Sequence, residues 1–138
     1  MGDLKKTVVN GAEINIRRAM TKSVMLVDST AKISILRGAK TGGTVIKYGP
    51  SRTHQQSAAG EAPASDTGYL ANSISHEVII ETRGQSKEFI GIVSAGAEYA
   101  ASLEFGTVNM EARPFLRPAL IGNRRKIEAI FKRQGIIR

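Results

Sequence analysis

The sequence predicts an α+β fold, a small antiparallel sheet packed with a long N-terminal helix, short helices and a C-terminal helix. Three patterns point to it. Apolar residues recur every three or four positions between residues 4 and 35, the helical period. Two runs rich in β-branched residues, 76–82 and 88–95, flank Arg83-Gly84-Gln85-Ser86 and read as a hairpin. Beyond Pro118, Leu120, Ile127, Ile130 and Phe131 return to helical spacing.

The first element carries Leu4, Val8, Ala12, Ile16, Ala19, Met20, Val24, Val27, Ala31 and Ile35 on one stripe, with Asp3 as a suitable N-cap. Unbroken over 3–36, it would reach roughly 50 Å at 1.5 Å per residue, so part of it should project or meet another subunit. Gly11 and the weak helix formers around Asp28 offer a break instead. Glycines and prolines then crowd 37–68, enclosing one apolar patch at 44–48 that suits a short strand. The remainder, a flexible loop at about 49–67, is too long to be idle in a compact domain and is expected to order against a neighbour.

Asp66 and Thr67 are placed to cap a short helix through Tyr69, Leu70 and Ile74. In the hairpin, Val78-Ile79-Ile80 and Phe89-Ile90-Gly91-Ile92-Val93 are apolar on both pleat faces, so both faces call for cover. Residues 98–105 read as two helical turns stopped by Gly106 at a left-handed position. Arg113 precedes Pro114 and is held extended. Pro118 suits the first position of the last helix, leaving Phe115 and Leu116 as an apolar plug before it.

One domain over 1–138 is expected, burying about two thirds of the unfolded surface. The absence of cysteine excludes disulfides and thiolate metal sites. No stretch approaches the roughly 20 apolar residues of a membrane span, and the N-terminus shows no signal-peptide pattern, so cytoplasmic synthesis is expected. Net charge is +8 but blocked by segment. Residues 1–48 hold nine Lys/Arg and three Asp/Glu, 49–112 hold three and eight, and 113–138 hold eight and one. Such blocks suit copies that set acidic against basic surface, and they also suit phosphate contact by the basic ends.

Two segments resemble a known family. EYAASLEFGTVNMEARPFLRPAL, at 98–120, and THQQSAAGEAPASDTGYLANSI, at 53–74, are similar to the signatures of the small tail-completion, or head-to-tail joining, proteins of long-tailed bacteriophages. Together they cover about a third of the chain, in the family's order. The resemblance implies a ring-forming structural virion protein of the neck, joining the finished tail to the DNA-filled head around the DNA channel. Implied partners are further copies of itself, a head-side connector or stopper, and a tail terminator or tail tube protein. The implied location is the virion neck, after assembly in the host cytoplasm. A tail terminator capping the tube is an alternative of the same class.

Expected docking residues are Tyr99, Leu103, Glu104, Phe105, Gly106, Thr107, Arg113, Pro114, Phe115 and Leu116, with a Glu104–Arg113 ion pair, within or across subunits, fixing the connector between them. Phe115 and Tyr99 read first as core packing and otherwise as aromatic interface anchors. Arg124, Arg125, Lys126, Lys132 and Arg133 are candidate DNA-channel contacts, otherwise a solvated face. A basic nucleic-acid-binding protein, using these with Lys5, Lys6, Arg17, Arg18 and Lys22, is the rival from another class. No catalytic pattern emerges, and no enzyme activity or cofactor is expected. His54 and His76 are the only histidines, 22 residues apart, so a zinc site would need carboxylates for most ligands. Neither phosphate-binding glycine motif occurs, and Ser73, Ser75 and His76 lack a nucleophile elbow.

Overall fold

The expected long helix forms as one piece, α1 (Gly2–Arg37), with no break at Asp28. At 36 residues it measures about 54 Å. The computed structural model describes residues 2–47, 49 and 52–138, with side chains from residue 11 onward. The expected Asp3 cap, the apolar positions Leu4 and Val8, and the basic Lys5 and Lys6 therefore lie outside the described side chains. Tyr48 and Pro50 lie outside the described residues. Thr21, Ser23 and Thr30 turn their hydroxyls back onto the carbonyls of Arg17, Ala19 and Leu26, so polar side chains sit inside this helix without competing with its ladder.

Among the described residues, α1 is followed by β1 (Thr44–Ile46), β2 (Thr53–Gln55), α2 (Tyr69–Asn72), β3 (Ile74–Arg83), β4 (Ser86–Ala95), α3 (Ala100–Phe105), α4 (Leu116–Gly122) and α5 (Arg124–Arg133). The fold is thus α+β, with two separate two-stranded antiparallel sheets. The β3–β4 hairpin runs in unbroken register from Ile74 opposite Ala95 to Arg83 opposite Ser86, longer at each end than the sequence suggests. Its two-residue turn uses Gly84 at φ +62°.

α1 lies along one face of this hairpin. Glu13 meets Lys87 near the turn at 2.6 Å, and Asp28 meets His76 at the far end at 2.5 Å. Midway the backbones approach so closely that a Cβ on Gly91 would stand 2.6 Å from Val24 Cγ1, which is why glycine interrupts an otherwise apolar strand. Val27, Ala31 and Ile35 of α1 close the core over Leu70, Ala71, Ile74, Ala97, Ala100, Phe115 and Ala119. The cover is one-sided: β-strand alternation with Gly91 on the α1 face puts Ile79, Ile90 and Ile92 on the other, where they are partly exposed.

Several local expectations are corrected. The stretch 49–67 is not one irregular arm, because β2 pairs with β1, with Val45 opposite His54. The following loop is tied down by Glu61, whose carboxylate accepts from Thr41 Oγ1, Thr41 N and Ala58 N. The Thr41 hydroxyl, then the Ala58 and Thr41 amides, hold the Glu61 carboxyl down at about 2. Lys40 donates to Ser34 O at 3.0 Å and Ala62 O at 2.7 Å, joining the end of α1 to that loop. Burial lowers the Lys40 ammonium pKa.

The cap residue of α2 is Gly68 at φ +78°, Thr67 Oγ1 accepts from the first helical amide, Tyr69 N, at 3.4 Å, and Asp66 turns instead to Lys47. α2 ends at Asn72, and Ile74 opens β3. The last helix starts at Leu116 and not at Pro118. Proline fits its third position because the N–H there has no intrahelical partner in any case. A break at Asn123 then separates α4 from α5. The Asn123 amide donates to Thr30 Oγ1 at 2.9 Å and Ala119 O at 2.7 Å, fastening this corner to α1.

Candidate functional site

The two sequence blocks, 53–74 and 98–120, fold against each other. Gly60 N donates to Ala112 O at 3.1 Å, and the Tyr69 and Tyr99 rings meet at 6.2 Å between centroids, tilted by 44°. Together with β1 they enclose a cavity of about 250 Å³, whose lining includes His54, Ser57, Tyr69, Tyr99, Leu103 and Arg113.

Local chemistry explains how the second block holds its shape. α3 is short, and Gly106 ends it at φ +76°, ψ 174°. The positive φ is as expected, but ψ is extended, so the chain swings away instead of closing a left-handed cap. A Cβ at Gly106 would stand 2.9 Å from Ala112 N and 3.0 Å from Met110 O, which restricts the position to glycine. A tight turn closed by Thr107 and Met110 follows, and Arg113 N returns to Leu103 O at 2.6 Å.

The Glu104–Arg113 ion pair does not form within the subunit. Glu104 reaches the start of α4 instead, accepting from Phe115 N at 2.8 Å, Leu116 N at 3.0 Å and Arg117 N at 2.8 Å. Phe115 is the helix cap residue and Pro118 has no N–H, so one carboxylate serves the donors that open this helix, at the positive end of its dipole. The sequence holds the signal, Glu followed by a proline-spaced helix start, but Arg113 is the more conspicuous partner on charge alone.

The structure sorts the predicted docking residues by depth. Phe115 is 1% exposed and belongs to the core. Leu103, Glu104, Gly106, Arg113, Pro114 and Leu116 are half-buried, whereas Tyr99, Phe105 and Thr107 are exposed. Phe105 is 80% exposed and Val108, at the tip of the turn, fully so. Val108 and Tyr69 are contact candidates that the sequence reading passed over; the first sits in a connector and the second in a helix that packing alone would explain. Arg124, Arg125, Lys126, Lys132 and Arg133 are all exposed on α5, as a basic face requires, and Arg124 faces Glu128 at 3.4 Å.

On the other side of α3 lies a wider apolar groove of about 750 Å³, between α1, β4 and α3 to α5. Met20, Val24, Phe105, Leu120, Ile127 and Phe131 are among its walls. Five successive residues of β4, from Gly91 to Ala95, also line it. Because among the described residues β4 pairs only with β3, the groove runs along an edge strand.

A hydrogen-bonded pair, Asp28 and His76, ties the hairpin to α1. Burial pushes the Asp28 carboxyl up, but the hydrogen bonds from His76 and Lys32 outweigh it and hold the group below its ordinary value. Among the described residues no group of three or more His, Cys, Asp or Glu side chains is placed to hold a metal ion. No described helix is long and apolar enough to cross a membrane.

No family model matches the chain, and neither curated proteins nor solved structures give a match.

Proposed function

We propose that this chain is a structural subunit of a bacteriophage neck, which completes the tail and joins it to the DNA-filled head as a ring around the DNA channel. The observation that carries the reading is the surface built by the second block. Phe105, 80% exposed, walls an apolar groove that follows a strand edge, and Val108, at the tip of the next turn, is fully exposed. A monomer gains nothing from such an arrangement, whereas contiguous apolar surface of this kind marks a protein contact. A closed ring repeats one heterologous interface, so each subunit needs two different patches; the exposed Val108 turn and the apolar groove walled in part by Phe105 are such a pair. The resemblance of both blocks to tail-completion proteins supplies the setting and the neighbours: a head-side connector or stopper on one side, a terminator or tube protein on the other.

The exposed basic residues of α5 favour a second, compatible role, non-specific contact with phosphate in the channel. As the main function, nucleic-acid binding would produce tight duplex binding at physiological salt with a steep salt slope. The neck reading expects weak duplex binding.

Sedimentation velocity across protein concentration, with negative-stain imaging of the products, tests the assembly. The wild type is expected to form closed rings. Phe105→Ser combined with Val108→Ser should weaken association at least tenfold while unfolding as the wild type does, because neither side chain is buried in the monomer. A wild type that stays monomeric throughout, or a double variant that assembles normally, refutes this reading.

A further inference from the structure

Among the described residues, two buried side-chain polar atoms lack any hydrogen-bond partner, Ser57 Oγ and Arg113 Nε. Both residues line the same cavity, the one enclosed by the two sequence blocks. Ser57 is 2% exposed. The expected acidic partner of Arg113, Glu104, is fully engaged at the start of α4. Buried polar atoms in folded proteins nearly always find partners, so two orphans at one cavity mark a place where an acceptor belongs.

Resting on the ring reading above, we infer that this cavity is a receptor for a carboxylate side chain from a second copy of the chain, with the Arg113 guanidinium as its anchor and Ser57 as a second donor. A carboxylate accepts at two oxygens, and the guanidinium fork matches it in a plane. Tyr69 and Tyr99, both about half exposed, stand at the mouth. Tyrosine and arginine together are the residues that most often concentrate binding energy at protein contacts. Ser57 Oγ and Arg113 Nε each expose less than 1 Å², so a carboxylate pairs with them only when these side chains turn into the cavity.

The same chain carries suitable donors. Glu77, Glu98 and Glu111 are exposed and, among the described residues, take part in no ion pair. All three belong to the acidic segment 49–112 and so complement the basic surface elsewhere on a neighbouring copy.

The test compares association of the full chain by sedimentation velocity, with thermal unfolding as the control for folding. Arg113→Met should weaken association at least tenfold while leaving unfolding unchanged or slightly later, since the buried Nε it removes has no partner among the described residues. Arg113→Lys keeps the charge but not the fork and should fall between, and Ser57→Ala should weaken association a few-fold. One of Glu77→Gln, Glu98→Gln and Glu111→Gln should reproduce the Arg113→Met loss, with no further loss when the two are combined.

Normal association of Arg113→Met and Arg113→Lys overturns the receptor and leaves the ring reading standing. A strictly monomeric wild type overturns both. Loss in the Arg113 variants without loss in any glutamate variant overturns the second copy as donor. Saturable stabilisation of the wild type by inorganic phosphate, absent in Arg113→Met while association is unchanged, assigns the cavity to a free anion and equally overturns the inference.

Discussion

Replacing Glu104 by alanine removes the acceptor for three amide donors at once, those of Phe115, Leu116 and Arg117. The consequences differ by depth. Phe115 is buried, so its N–H is left without water or protein partner, at about 1–3 kcal/mol. Arg117 is exposed and Leu116 half-buried, so their amides regain water and lose only the net value of a capping bond, about 0.5–1 kcal/mol each. Loss of a negative charge at the positive helix end adds about 0.3–1 kcal/mol. These terms share one carboxylate and do not add in full, which puts Glu104→Ala at about 3 kcal/mol. Glu104→Gln keeps an acceptor oxygen but loses the charge and turns an N–H₂ toward donors, so about half that loss is expected. Urea unfolding followed by circular dichroism measures both, provided the slope is unchanged. In a chain of this length 3 kcal/mol corresponds to a midpoint about 10 °C lower. A loss below about 0.5 kcal/mol for alanine, or equal losses for the two variants, would mean that the carboxylate does not hold α4 as described.

Two further outcomes follow from local geometry. Asp28 has a depressed carboxyl pKa in the fold, so its contribution is present above the unfolded value of 3.8 and is lost as pH falls through the lower folded value. Unfolding free energy measured from pH 6 down to pH 2 should therefore drop more steeply in the wild type than in Asp28→Asn; parallel curves would contradict this. Gly106→Ala places a Cβ against Ala112 N and Met110 O at a positive φ, so a loss of about 2 kcal/mol is expected in chemical unfolding, and a neutral result would exclude the backbone geometry assigned to this turn.

Sequence pattern and structure agree where one physical signal dominates. The buried stripe of α1 at Ala19, Val24, Val27, Ala31 and Ile35 follows the apolar period, and the hairpin follows its β-branched runs and turn glycine. They part where a segment is too short to show a period or where a tertiary partner decides. β2 is three residues, Thr53 to Gln55, whose pairing with β1 leaves no pattern of its own. α4 begins two residues before the proline that seemed to open it, because a carboxylate from another helix satisfies amides that local capping residues would otherwise serve. The cavity was not legible at all. Its two orphan atoms come from Ser57 and Arg113, 56 positions apart, and only the packed chain shows that both lack partners in the same place.

The second block divides its labour in a way that bears on how such motifs should be read. Phe115 and Glu104 face inward, one filling the core and the other fixing the start of α4, and neither is available to a partner. Tyr99, Phe105 and Val108 face outward and have little part in the core. The inward residues position the outward ones, since Glu104 and Phe105 are adjacent on α3 and the turn carrying Val108 is closed by Arg113 N returning to Leu103 O. A change at Phe115 or Glu104 therefore disturbs docking through the fold, whereas a change at Phe105 or Val108 leaves the fold intact. Loss of assembly on substituting an inward residue thus says nothing by itself about contact, and only variants with unchanged unfolding can locate the interface. By that criterion Arg113 is the informative position. It is half-buried, yet among the described residues its buried Nε finds no hydrogen-bond partner, so a docking role and a scaffolding role predict opposite effects on the stability of the isolated chain.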